Sequence, residues 1–196
     1  MRRLRAQLLT ISSFIFLSAC SVFGDVSVKV APYSVIATDG AFEIRQYERL
    51  LLASTYTPDG MDGVSAPFRK LFGYISGKND KTEKIAMTAP VFMDQVGQTT
   101  EAMSFVLPAG LSLATAPTPL DPAVKLTEVS DYRVAVISFS GFLNQDTIST
   151  HRALLQNWIA GRGLKITGAA KAAGYNPPFT LPFLRRNEIV ISVGKE

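Results

Sequence analysis

The stretch Lys84-Ile85-Ala86-Met87-Thr88-Ala89-Pro90-Val91 narrows the possible folds more than any other part of this chain. Ile85, Met87, Ala89 and Val91 recur at period two. Ala86 and Thr88 are small enough for close cover on the opposite face, and Pro90 marks an end or an edge, so the segment reads as a buried strand. Such a strand needs a cover. Just upstream, Phe68, Leu71, Phe72 and Ile75 fall at i, i+3, i+4 and i+7, the spacing of a helix with one apolar stripe. Helix and strand are expected to pack together.

The flanking segments supply the rest of an α+β pattern. Asp39-Gly40 is a turn signal between Tyr33–Ala37 and Phe42–Tyr47, which predicts a hairpin, and Leu50–Tyr56 reads as a further strand. Thr57–Gly63 is a loop by composition. Ser65 can cap the helix, Pro67 suits its first turn, and Gly77 and Asn79 end it near Ser76. A charged loop, Lys78–Glu83, follows. Val96-Gly97-Gln98 is a break, Met103–Leu107 a strand, and Pro108–Pro122, with four prolines, a surface loop. The pattern then starts again. Leu126, Val129, Val134 and Ala135 lie about 82 residues beyond Ile44, Tyr47, Leu52 and Ala53. A second helix is expected over 146–160, and Lys165–Tyr175 and Asn187–Val193 complete the copy.

At the amino terminus Arg2, Arg3 and Arg5 precede an apolar run, Leu8–Leu17, which reads as a secretory signal too short to span a bilayer stably. The run ends in Leu17-Ser18-Ala19-Cys20, which resembles the lipobox of bacterial lipoproteins; the resemblance implies that Cys20 is lipidated and becomes the first residue. Ser21 in place of Asp then favours the outer membrane, with the domain facing the periplasm. The expected organisation is a signal peptide over 1–19, a lipidated cysteine and tether over 20–31, and one domain over 32–196. Cys20 is the sole cysteine, so no internal disulfide is available. Three of the 20 basic residues belong to the leader, so the remainder is close to balanced against 16 acidic ones. Without Lys/Arg runs it has no electrostatic footprint for nucleic acid.

Phe42-Glu43-Ile44-Arg45-Gln46-Tyr47, then Phe68–Gly77 with Asn79, then KIAMTAPV, then Ala173-Gly174-Tyr175-Asn176-Pro177-Pro178 and Arg185-Arg186-Asn187-Glu188-Ile189, resemble the SOUL haem-binding protein family in order and spacing. The likeness covers roughly Tyr33 to Val193. It implies a pseudo-twofold bent antiparallel sheet or distorted barrel carrying two helices, similar to effector-binding domains, and binding of haem or a related porphyrin. It places the pocket between the first helix and the loop after the Gly-Tyr-Asn-Pro-Pro motif. In some members a histidine just before the first-strand tyrosine has been considered as an iron ligand; that position here is Gln46.

His151 is the only histidine. It flanks a stripe of Ile148, Leu155, Trp158 and Ile159, where packing and axial iron ligation both fit. One histidine assembles no nucleophile-base-acid set, no His/Cys cluster holds zinc, and no phosphate-loop or dinucleotide motif is present, so a non-enzymatic role is expected. A tetrapyrrole needs a flat apolar cleft and cationic partners for two propionates. Phe68, Leu71, Phe72 and Ile75 with Arg69 supply one wall, though the same stripe fits plain core packing. Phe179, Leu181 and Phe183 sit in a proline-broken loop unsuited to burying all three, and Arg185 and Arg186 end it, placed for propionates or for an ion pair with Glu188. Met87 fits core filling better than iron ligation. The expected function is reversible tetrapyrrole binding by a membrane-anchored carrier or buffer. The alternatives are a module for another small molecule and a structural lipoprotein with an envelope protein partner.

Overall fold

The computed structural model of the chain is described over residues 28–58, 65–94 and 100–194. The expected leader, Cys20, most of the tether, the turn around Asp59-Gly60 and the Val96-Gly97-Gln98 break lie outside those residues. The elements run β1 (Lys29–Val30), β2 (Ser34–Asp39), β3 (Phe42–Pro58), α1 (Ser65–Ile75), β4 (Thr88–Ala89), β5 (Val91–Asp94), β6 (Thr100–Val106), β7 (Lys125–Phe139), α2 (Gln145–Gly161), β8 (Lys171–Gly174) and β9 (Asn187–Ser192). A 3-10 turn, Pro182–Leu184, precedes β9.

Six strands close into an antiparallel ring in the order β3-β6-β5-β8-β9-β7, with the long β3 and β7 pairing to shut it, while β2 adds to β3 as an extra strand. The ring consists of two like halves, β3-α1-β5-β6 and β7-α2-β8-β9. Each helix lies outside the ring on the strands of its own half. Leu71, Tyr74 and Ile75 of α1 pack on Leu51, Ala53, Met103 and Phe105; Ile148, Leu155 and Ile159 of α2 pack on Ala135, Ile137, Ile189 and Ile191. The expected distorted barrel with two helices is the fold observed.

The helix boundaries follow local chemistry. Asn144 caps α2 by accepting from Thr147 N at 2.9 Å while Thr147 Oγ1 accepts from Asn144 N at 3.1 Å. Gly77 at φ +112° lets the chain leave α1. Asn79, buried, then ties the exit down, its amide donating to the carbonyls of Tyr74 and Glu83 and its Oδ1 accepting from Glu83 N.

Inside the ring the side-chain alternation changes phase midway. Tyr47 and Leu50, three apart, both face the inner core, as do Val129 and Tyr132 on the partner strand. Asp131, at φ +53°, sits at the crossover and accepts from Gln46 Nε2. The inner core of Tyr47, Leu50, Phe92, Val106, Val134, Ala173 and Val190 divides the lumen. A buried charged cluster on Arg45 and Glu188 occupies one end, and an open cavity occupies the other.

The KIAMTAPV stretch departs from expectation. Only Thr88–Ala89 is strand before Pro90, and it pairs in parallel with Lys29–Val30 in a separate two-stranded ladder. The Ala89–Pro90 peptide is cis. Ile85, Met87 and Val91 pack under α1, whereas Ala89 joins the inner core, so the four do not share a face. Pro90 cannot donate to a ladder, and the chain changes neighbours there. The hairpin is observed, but its second strand continues unbroken to Pro58 and absorbs the segment read separately as Leu50–Tyr56.

Candidate functional site

The outer face of the ring between the two helices is where the fold leaves apolar surface uncovered. Leu71 is fully buried and Ile75 nearly so, but Phe68 and Phe72 on the same stripe are 39% and 51% exposed. Their rings stack with centroids 5.8 Å apart, and Phe68 meets Phe105 of β6 edge-on at 5.4 Å. The opposite flank of α1 is occupied. There Tyr74 donates to Pro117 O at 2.9 Å, and Arg69, Lys70, Lys78 and Asp121 line a separate hollow of about 420 Å³. Helical geometry therefore turns Phe68 and Phe72 toward β5 and β8.

Strand register fixes what they look across. Phe105, Val91, Gly174 and Asn187 are successive partners on β6, β5, β8 and β9. At the usual strand spacing, Phe105 and Gly174 are about 10 Å apart. Gly174 contributes no side chain to this floor; a Cβ there would lie 3.6 Å from Met93 Cε and 4.0 Å from Leu143 Cδ2. Val91 and Met93 are half-buried. Beyond Gly174 the chain enters the 177–184 loop, where Phe179 is 84% exposed and Leu181 and Phe183 are also exposed. The result is a shallow apolar floor with an aromatic wall on one side and an aromatic loop at its end.

That loop is held in shape from within. Arg185 donates from Nε to Thr180 O at 2.7 Å and from NH2 to Pro178 O at 2.6 Å, and its guanidinium lies 5.5 Å from the Phe142 ring centre. Gly141 N donates to Pro182 O at 2.8 Å. Arg186 faces the other way, into the lumen, where Nε and NH2 donate to Glu188 Oε1 at 2.9 and 2.7 Å and NH2 reaches Tyr33 Oη at 3.1 Å. Neither arginine is a free rim cation, which corrects the expectation that both serve propionates. Arg186 makes the ion pair with Glu188 that the sequence left open.

The remaining expected site residues separate similarly. Phe68, Phe72, Phe179, Leu181 and Phe183 are presented to solvent; Leu71 and Ile75 are core, which corrects their assignment to a ligand wall. Arg69 is exposed and lines the hollow on the far flank of α1, which corrects its assignment to the ligand wall. His151 stacks on Phe139 at 3.7 Å and bonds through Nδ1 to Thr147 O at 2.7 Å. Met87 packs beneath α1. Among the described residues no group of three or more His, Cys, Asp or Glu is placed to hold a metal ion. The floor of Val91, Met93 and Gly174 was not anticipated; Gly174 stands inside the Ala173–Pro178 motif, which was its one visible signal.

Glu188 is the other residue that sequence reasoning underrated. Burial alone would raise its carboxyl pKa, but hydrogen bonds and charge from Arg45 and Arg186 outweigh it and leave the pKa lowered. Burial and then the Glu188 charge push the Tyr175 hydroxyl well above its ordinary value, so it stays protonated and donates to Glu188 Oε2 at 2.8 Å. Burial chiefly raises Tyr47 to about 12. These groups hold strands together rather than facing solvent.

Comparison with known proteins gives a consistent picture. The sequence model of the SOUL heme-binding protein family matches residues 28–192. Mouse "Heme-binding protein 2" is 30% identical over 168 residues, 81% of this chain and 81% of that protein. Mouse "Heme-binding protein 1" is 28% identical over 182 residues, 86% and 94% of the two chains. Among solved structures, a hydrolase from Listeria innocua superposes with a TM-score of 0.55 at 10% identity, covering 81% of this chain and 94% of its own; that likeness concerns the fold alone.

Proposed function

Because the chain belongs to the SOUL heme-binding protein family, we propose that it binds haem or a related tetrapyrrole, reversibly, on the outer floor between α1 and the 177–184 loop. The stacked, solvent-facing Phe68–Phe72 pair beside a floor position that lacks a side chain carries this reading. A planar macrocycle laid on Val91, Met93 and Gly174 would bury apolar area on both partners, worth about 25 cal/mol per Å². Phe179, Leu181 and Phe183 would cover the opposite edge. Arg69 and Lys70, the exposed cations of α1, line the hollow on its far flank, so the propionates would project from the open edge of the floor into solvent.

When bound, the group supplies the chromophore and the iron; the chain supplies burial and orientation. His151 lies on α2 against Phe139, outside the floor, so affinity would come chiefly from ring burial, with the iron weakly coordinated or uncoordinated by protein. The role proposed is that of a non-enzymatic carrier or buffer. The leader and the Leu17-Ser18-Ala19-Cys20 motif support attachment through lipidated Cys20 to the outer membrane, facing the periplasm.

Haemin titrated into the domain lacking residues 1–20 tests this. A shifted Soret band with quenching of Trp158 at micromolar protein is expected; absence of both overturns the proposal. Retained haemin affinity together with lost capture of an envelope protein in a Phe179→Ser, Phe183→Ser variant would favour a protein-docking role for the loop instead.

A further inference from the structure

The lumen end opposite Glu188 holds a cavity of about 580 Å³, within the range of small-molecule sites. Strand register orders its lining into layers. Lys125, Ser54, Ser104 and Phe92 are successive partners across β7, β3, β6 and β5; toward the mouth, Tyr56, Ala102, Asp94 and Lys171 form the next row. Deeper lie Leu52, then Leu50 with Val129. The wall thus carries its charged and serine side chains in the two outer layers, while Leu52, Leu50 and Val129 give the deeper part an apolar patch beside Thr127 and the hydrogen-bonded Tyr132–Ser192 pair.

Two polar groups in those layers lack full partners. Asp94 pairs through Oδ2 with Lys171, while its Oδ1 is shielded from solvent and has no hydrogen-bond partner among the described residues. Ser54 and Ser104 share one hydrogen bond at 2.7 Å, leaving one hydroxyl proton between them for an outside acceptor. A shielded carboxylate oxygen without a donor is costly unless something supplies one. Because Lys171 already neutralises Asp94, exposed Lys125 leaves the lining with a net positive charge. That charge disfavours a cation and favours an anion that also carries a donor.

We propose that this end of the barrel is a second ligand site, separate from the tetrapyrrole floor, for a small amphipathic carboxylate bearing an N–H or O–H donor. The apolar tail lies on Leu50, Leu52, Phe92 and Val129. The donor meets Asp94 Oδ1 in the outer row, the carboxylate beyond it meets the long side chain of Lys125, and the spare proton of the serine pair meets the acyl carbonyl or hydroxyl oxygen nearer the tail. N-acyl amino acids and hydroxylated fatty acids have this chemistry. The two sites lie on opposite faces of the same strands: Phe92 and Asp94 point inward, and Val91 and Met93 outward.

Calorimetric titration of the domain lacking residues 1–20 with three probes tests it: N-decanoylglycine, decanoate and decylammonium, all below their micellar concentrations. N-decanoylglycine is expected to bind at least fivefold more tightly than decanoate, which lacks the donor, and decylammonium to give no saturable heat. Lys125→Glu, at an exposed position, should weaken N-decanoylglycine at least fivefold, and Val129→Trp should abolish its binding while each variant keeps the parent haemin affinity. Absence of saturable heat with N-decanoylglycine, equal affinity for all three probes, indifference to Lys125→Glu, or displacement of the probe by haemin would each overturn the assignment. Because haemin binding is read in the same samples, failure of this site is distinguishable from failure of the floor.

Discussion

Arg45 forks onto Glu188 inside the barrel, NH1 to Oε2 at 2.9 Å and NH2 to Oε1 at 3.0 Å, with the two side chains 1% and 0% exposed. The pair joins β3 to β9, which are not neighbours in the ring, across its lumen. Glu188 also accepts from Tyr175, Arg186 and Ser138. Such a carboxylate is fully satisfied only while every donor is present.

Arg45→Met should therefore destabilise the domain by about 1–3 kcal/mol, the cost of leaving buried carboxylate acceptors unmet, since Arg186 still pairs with Glu188. The pH dependence has a definite sign. The folded Glu188 carboxyl lies below its ordinary value, so its stabilisation is complete above the unfolded pKa of about 4.3 and is lost as pH falls through the lower folded value. The urea-midpoint gap between parent and Arg45→Met should hold from pH 7 to 5 and narrow below about pH 4. A gap unchanged down to pH 3 would remove Glu188 from the account.

Phe68 and Phe72 are exposed before any ligand arrives, so their loss should separate binding from folding. The Phe68→Ala, Phe72→Ala double variant is expected to weaken haemin about 10–100-fold, the effect of about 1.5–3 kcal/mol of lost aromatic burial. Its midpoint in urea should shift little compared with Leu71→Ala, which opens the core beneath α1. Equal haemin affinity in parent and double variant would dismiss the wall.

Arg185 acts on the loop rather than on solvent. Arg185→Ala removes both bonds to the carbonyls of Thr180 and Pro178 and should make the 177–184 segment cleavable by protease in the otherwise folded domain. Arg185→Lys should rescue only in part, because an ammonium lacks the planar fork that spans two acceptors. Unchanged cleavage kinetics would show that the loop is held by its backbone bonds, such as Gly141 N to Pro182 O, without the Arg185 side chain.

His151 and Met87 bear on the iron. Substituting either by Ala should leave the haemin spectrum of the protein unchanged, since one ring stacks on Phe139 and the thioether packs beneath α1. A low-spin spectrum lost on His151→Ala would assign the ligand to α2 and move the site away from the floor.

The parts of this fold that local chemistry dictates were legible beforehand. The i, i+3, i+4, i+7 stripe located α1, Gly77 and Asn79 marked its exit, and the weak second copy of the pattern anticipated two like halves. What stayed hidden depends on distant partners. Period two in KIAMTAPV suggested one face, but Ala89 turns to Val30 while Val91 turns to Phe105 and Gly174. The amphipathic stripe could not reveal that Leu71 and Ile75 are covered while Phe68 and Phe72 are left at its margin. Arg45 and Glu188 are 143 residues apart, and no spacing rule links them. The phase change between Tyr47 and Leu50 is equally invisible, because it belongs to the crossing of two strands rather than to either alone.

Ring closure has a consequence for association. Among the described residues β2, Ser34–Asp39, is paired only to β3, so its other edge has no strand partner and presents backbone amide and carbonyl groups in extended conformation. Val35 and Ile36 on this strand are about half exposed. Any strand donated by another molecule to extend this sheet has its landing rail there, on the flank of the barrel away from the α1 groove.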